Sequence, residues 1–227
     1  MLRASEARDR AAFIELFASP EVGTYVGGAR PRDELERTMS EVPGRRPGVF
    51  VLELDGAMIG VITLDPRAAE RPGHVRPEAG ETELGYLFLP EAWGRGYATE
   101  ACTAALDWFA AALPGEPVVL STQTANAGSM RVAAKLGFTE ADRFEEYGAE
   151  QWFGVRSSAT PSDGDTVDAV DGVDGVAELD GTGATGATAA GSAEAVAAGP
   201  GTDGISGRIS SASPPSARPS PGVRPPR

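Results

Sequence analysis

Two periods of apolar residues alternate along the first two thirds of the chain. Phe13, Leu16 and Phe17 recur at helical spacing within residues 7–18 and stop ahead of Pro20. Leu35, Met39 and Val42 repeat that spacing from Pro31 to Val42, with Pro31 suited to a first helical turn. The period then shortens. GVFVLEL (48–54) and AMIGVITL (57–64) flank Asp55-Gly56 and predict a hairpin with a tight turn. Residues 66–80, rich in Pro, Gly and Arg, read as a loop, and ETELGYLFLP (81–90) as a strand ended by Pro90. WGRGYATEACTAALDWFAAAL (93–113) returns to helical spacing, its inner face being Ala98, Ala101, Cys102, Ala105, Phe109 and Ala112. Pro114-Gly115 stops it. PVVLSTQ (117–123) is a strand, 127–136 a short helix with Met130, Ala133 and Ala134 inward, and 138–148 and 150–155 a closing strand pair around Gly148. Only LRA (2–4) precedes the first helix as a strand, so that edge is expected to be short. Helices, then a meander, then β-α-β-α-β-β describe an α+β, mixed α/β domain over residues 1–155.

Beyond Phe153 the pattern lapses, and no aromatic residue follows it. Residues 156–227 are mostly Gly, Ala, Ser, Thr, Pro, Val and Asp. Such a segment buries too little apolar surface to offset roughly 1–2 kcal/mol of backbone entropy per residue, and a disordered tail is expected. Charge is uneven as well. Nine of the 33 acids and five of the 20 basic side chains lie in 156–227, so residues 1–155 carry −9 of the net −13. An acidic domain makes a poor nucleic-acid partner, because phosphate contacts need Lys and Arg. It suits cationic amines as ligands, though acidity serves solubility equally. A single cysteine, Cys102, excludes an internal disulfide and Cys-x-x-Cys metal sites, and it reads as a small core residue. No leader-like segment and no run of ~20 apolar residues stand out, so no membrane partner and a cytoplasmic location are expected.

Residues 81–100 hold the most informative chemistry. A strand feeds a Gly94-Arg95-Gly96 turn that opens a helix. Bare glycine backbone admits close approach, and a helix start offers unpaired N–H groups at the positive end of a dipole, which suits a pyrophosphate. The same Gly-x-Gly also serves a plain turn. A Walker loop is excluded because Lys135 is the only lysine, and a dinucleotide fingerprint needs a third glycine where Thr99 stands. Asn126, starting a helix, reads as an N-cap, and Ser129 three residues on either satisfies backbone groups or donates a proton. Glu83 reads either as a solvated carboxylate or as a base, and Tyr147 and Glu150 sit near the last hairpin. His74, in the Arg/Pro loop, reads as solvated.

LGYLFLPEAWGRGYATEA (84–101) followed by TANAGSMRVAAKLGF (124–138) resembles the GNAT superfamily of N-acetyltransferases, most of all the branch of ribosomal-protein alanine N-acetyltransferases. The resemblance spans nearly all of 1–155. It implies the acyl-CoA N-acyltransferase fold, a mixed sheet splayed at its fourth strand, and acetyl-CoA as co-substrate with no metal. It also implies an amine acceptor, either a small molecule or a protein N-terminus, and attack in a ternary complex. Carried over by position, the backbone at Phe88 and Leu89 meets the pantetheine arm. Gly94, Gly96, Tyr97 and Ala98 cradle the pyrophosphate with Arg95 nearby, and Asn126 contacts the arm. Glu83, Ser129 and Tyr147 become the candidates for handling protons. Glu91 departs from the superfamily pattern, which has Gln or Arg there. The alternative reading is a catalytically silent acetyl-CoA-binding regulatory module.

Overall fold

The computed structural model describes residues 1–157. From position 158 onward the segment expected to be disordered lies outside the described residues, and its first residue, Arg156, ends the last strand. The elements run β1 (Leu2–Arg3), α1 (Arg10–Ala18), α2 (Pro20–Gly23), α3 (Arg32–Thr38), β2 (Val49–Leu54), β3 (Ala57–Pro66), β4 (Thr82–Phe88), α4 (Tyr97–Ala112), β5 (Val118–Gln123), α5 (Ala127–Lys135), β6 (Thr139–Glu146) and β7 (Ala149–Arg156). The strands form one seven-stranded sheet in the order β1-β2-β3-β4-β5-β7-β6, antiparallel everywhere except between β4 and β5. This is the mixed α/β architecture that the alternating periods predict.

Local chemistry accounts for the elements and for three departures. Asp55 and Gly56 have φ of 50° and 83°, the paired left-handed residues of a type I′ hairpin turn. Pro20 ends α1 but also starts α2, because Ser19 Oγ accepts from the Val22 N–H at 3.2 Å and proline fits a first helical position. α3 stops at Thr38, short of Val42, since Met39 turns extended with ψ 130°. On α5 the buried apolar side chains are Val132 and Ala133, whereas Ala134, expected inward, is exposed.

Two apolar layers sandwich the sheet. Leu84, Tyr86 and Phe88 of β4 pack against Ala101, Cys102, Ala105 and Phe109 of α4 and against α5. On the other face Val49, Val51, Val61 and Leu87 meet Phe13, Leu16 and Leu35 of α1 and α3. Among the described residues no helix is long and apolar enough to cross a membrane. One seam in the sheet is open. β4 and β5 pair only at Thr82–Val118 and Glu83–Val119 and then part. β3 follows β4 as far as Phe88, and β7 follows β5 as far as Gln123, so the gap lies between two otherwise complete half-sheets.

Candidate active site

The gap opens toward the glycine turn. Trp93 Nε1 donates to the Phe88 carbonyl at 2.8 Å and folds the turn back onto the end of β4. Gly94 and Gly96 have φ of 72° and 82°, and a Cβ at either would meet nothing within 4 Å. Glycine is therefore required by backbone conformation, and the space above it is open. Gly96 caps the 16-residue α4, whose first N–H groups, at Tyr97 and Ala98, have no carbonyl one turn back. Gly94, Arg95 and Gly96 are exposed and Tyr97 and Ala98 half-buried, so the helix start faces solvent as an anion site does. These residues fit a pyrophosphate.

Strand alternation sorts the β4 backbone. The Leu89 N–H donates to the Ile59 carbonyl at 3.0 Å, on the β3 side. Groups one residue away point the opposite way, so Phe88, Tyr86 and Leu84 turn their N–H groups toward the gap. Of the two positions expected to meet a cofactor arm, Phe88 turns its N–H to the gap and Leu89 spends its N–H on β3. Across the gap, buried Asn126 caps α5 by accepting from the Ser129 N–H at 3.0 Å. Ser129 is fully buried, and its Oγ lies 2.6 Å from the Tyr86 hydroxyl. Burial pushes the Tyr86 phenol well above its ordinary pKa, so it stays protonated. Nothing in the sequence marks this pair, because its members stand 43 residues apart.

Glu83 points to the opposite face and is 1% exposed. Its Oε1 accepts from Arg67 Nη1 at 2.7 Å and its Oε2 from Arg71 Nη1 at 2.9 Å. Arg67 is itself fully buried. Its Nε donates to the Gly73 carbonyl at 2.8 Å, and its guanidinium stacks 5.0 Å from the Phe153 ring centroid. Arg71 reaches on to Glu146 near the end of β6 at 2.8 Å. The loop read as a mere connector thus delivers two arginines to one carboxylate and ties the β6–β7 hairpin to β4. Burial raises the Glu83 carboxyl above its ordinary pKa, against the pull of Arg67 and Arg71. His74, expected to be solvated, is instead half-buried and paired with Glu81 at 2.8 Å.

The structure therefore sets Glu83 and Ser129 on opposite faces of the sheet with the gap between them. Tyr147 stands apart at the hairpin tip, 73% exposed with φ 55°, and Glu150 is exposed 3.6 Å from Arg143. Beside the end of β4 a cavity of about 550 Å³ is lined by Glu15, Ala18, Ser19, Pro20, Glu21, Arg32, Leu89, Pro90 and Glu91. Among the described residues no cluster of three or more His, Cys, Asp or Glu side chains is arranged to hold a metal.

Comparison with known proteins adds a family to this geometry. The acetyltransferase (GNAT) domain family matches residues 1–139. Among curated proteins the chain is similar to the uncharacterized protein YkkB of Bacillus subtilis (strain 168), with 31% identity over 144 residues, 60% of this chain and 79% of that one. It is also similar to FsC-acetyl coenzyme A-N(2)-transacetylase of Aspergillus fumigatus, 30% identical over 141 residues, and spans 58% of that protein's length with 58% of its own. Solved structures share the fold at low identity. Ribosomal-protein-alanine N-acetyltransferase from Brucella melitensis superimposes with a TM-score of 0.51 at 16% identity, over 69% of this chain and 99% of that one. Spermidine N-acetyltransferase from Vibrio cholerae, in complex with CoA and spermine, gives 0.52 at 19%, over 70% and 95%. The aminoglycoside acetyltransferase AAC(6')-Ib, in complex with coenzyme A, gives 0.55 at 16%, over 69% and 94%.

Proposed function

The chain belongs to the GNAT acetyltransferase family, and on that premise we propose that it moves an acetyl group from acetyl-CoA to a primary amine, both bound at once. The cytoplasm is its proposed location. One observation carries this reading: the sheet parts between β4 and β5 beside an exposed glycine turn at a helix start, a slot and an anion site in line. Fold neighbours whose names give ribosomal-protein alanine, spermidine and aminoglycoside acetylation leave the branch of the family open.

Acetyl-CoA, when bound, supplies the acetyl group as an activated thioester. The residues of the chain do the rest. The N–H groups of Gly94, Gly96, Tyr97 and Ala98, with Arg95 beside them, hold the pyrophosphate. Gap-facing N–H groups of β4, that of Phe88 among them, receive the pantetheine arm as a sheet receives an added strand, and Asn126 borders it from the other side. In this reading the Tyr86 hydroxyl, 2.6 Å from Ser129 Oγ, acts as the donor of the pair, which leaves the Ser129 proton for the departing thiolate. Glu83 keeps two carboxylate lone-pair sites beyond those that Arg67 and Arg71 occupy. Its raised pKa brings it closer to neutrality, which favours a group that takes the amine proton through water. Tyr147 borders the acceptor entrance.

The test is a panel of primary amines with CoA thiol release and acetylated product as paired readouts. Stoichiometric release and product are expected. Acetyl-CoA binding with no release for any amine would overturn the catalytic reading in favour of a regulatory binding module.

A further inference from the structure

Among the described residues, three buried polar atoms on the face that carries Glu83 have no partner: Thr63 Oγ1, Ser121 Oγ and Gln151 Oε1. Their residues are at most 3% exposed. An orphaned buried polar atom costs about 1–3 kcal/mol, and three along one wall are a liability unless a polar ligand visits them. Register brings them together. Thr63 stands opposite Gly85, which lies two residues along β4 from Glu83. Ser121 lies two residues along β5 from Val119, the partner of Glu83. Gln151 faces Gln123, one further same-face step of roughly 7 Å. Thr63 and Ser121 therefore flank the gap just past its last rung, with Gly85 contributing no side chain between them.

The chemistry of the three atoms is specific. Gln151 Nε2 donates to the Glu146 and Ala149 carbonyls at 3.0 and 3.2 Å, which fixes the amide and leaves Oε1 as an acceptor only. The hydroxyls of Thr63 and Ser121 both donate and accept. Nearby charge is already balanced. Arg46 binds both oxygens of Asp65, Arg67 and Arg71 hold Glu83, and Arg71 also holds Glu146. Among the described residues, Asp65, Glu83 and Glu146 thus each hold a guanidinium, and Glu81 is held by His74 and by the N–H groups of Val75 and Arg76. The wall is polar and neutral, and the acidity of the whole chain does not extend to it.

We infer that this wall is the acceptor pocket, that Thr63, Ser121 and Gln151 select the acceptor, and that it takes a primary monoamine flanked by uncharged hydroxyl or amide groups. The inference rests on the acetyl-transfer reading above. A polyamine would bring a second ammonium to a wall whose described carboxylates, Asp65, Glu81, Glu83 and Glu146, are already paired.

The experiment compares glucosamine, alanine amide and spermidine as acceptors at saturating acetyl-CoA, with CoA release as the readout and calorimetry for acetyl-CoA binding. Wild type is expected to favour glucosamine or alanine amide over spermidine by at least roughly tenfold in kcat/KM, the scale set by one unmatched buried hydrogen-bonding group. Thr63→Val and Ser121→Ala remove orphans in favour of apolar groups. They should leave Tm unchanged or higher, leave acetyl-CoA affinity unchanged, and raise acceptor KM about tenfold. Preference for spermidine, or wild-type acceptor KM in both variants, overturns this inference while leaving acetyl transfer intact. Acetyl-CoA binding without CoA release for any amine overturns both readings.

Discussion

Glu83→Gln separates the ion-pair role that the structure shows from the proton-accepting role proposed for the same side chain. The substitution keeps size and removes charge. A glutamine oxygen still accepts from one guanidinium, but its NH₂ group then faces the donors of the other. Arg67 has no solvent to turn to, since its side chain is fully buried. Breaking a buried ion pair by removing one partner costs about 3–5 kcal/mol. For a domain of this size, at roughly 2–4 °C per kcal/mol, the melting temperature should fall by about 6–20 °C. Turnover is then measured well below the variant's melting point, so that loss of fold does not masquerade as loss of catalysis. If Glu83 receives the amine proton, kcat should drop by about 10²–10⁴-fold at neutral pH, recovering partly as rising pH deprotonates the amine unaided. Acetyl-CoA affinity should hold. Arg71→Met is the control. It also loosens the ion-pair cluster but leaves the carboxylate, and should keep turnover within a few-fold. Wild-type turnover in folded Glu83→Gln refutes the base assignment. A shift in melting temperature under about 2 °C refutes the stability argument.

Gly96→Val forces a branched residue to φ 82°, costing about 1–2 kcal/mol of strain with no packing clash, so the fold survives. Acetyl-CoA affinity should fall more than tenfold, and unchanged calorimetric binding would remove the phosphate site from this turn. Ser129→Ala strands the buried Tyr86 hydroxyl and should cost about 1–3 kcal/mol in urea unfolding while lowering kcat. Adding Tyr86→Phe should restore the stability and not the rate; a restored rate excludes the proton path. Burial pushes the Asp9 carboxyl up, but its hydrogen bonds to the Arg3 guanidinium and the Glu6 N–H win, and its pKa lies below the ordinary value. Its contribution is complete above an ordinary aspartate pKa of about 3.9 and is lost as pH falls through the lower folded-state value. Asp9→Asn should therefore be the less stable at neutral pH and converge with wild type in urea midpoints toward pH 3.

Local signals in the sequence reached the turns and the caps. Asp55-Gly56 names its turn, Gly94 and Gly96 announce a backbone that only glycine adopts readily, and Asn126 sits where a cap belongs. The periodicity also places Ala101, Cys102, Ala105 and Phe109 on the buried stripe of α4, as found. What stayed hidden is long-range and polar. Arg67 and Arg71 look like loop charges, because nothing local says that a strand 12 to 16 residues later will bury their shared partner. Tyr86 looks like one more core position on an apolar strand, since its hydroxyl partner comes from another element. α2 has no periodic signal of its own, and Pro20 reads as a stop although Ser-Pro is equally a start. Ala134 departs from its expected place because alanine carries little directional information on a short helix, where Val132 is the better guide.

The open seam between β4 and β5 has a consequence for the lifetime of the molecule. A sheet edge is an unfinished template, and here two such edges are turned inward, joined by only two rungs and bridged by helices. A ligand that lies between them completes the ladder that the chain leaves undone, and it does so only in the native ensemble. At a ligand concentration of 100 times Kd, such binding adds about 2.7 kcal/mol to unfolding. Proteolytic survival of this protein should therefore track the acetyl-CoA around it, and slow hydrogen exchange at the gap-facing amides of Leu84, Tyr86 and Phe88 should appear only as the ligand is supplied.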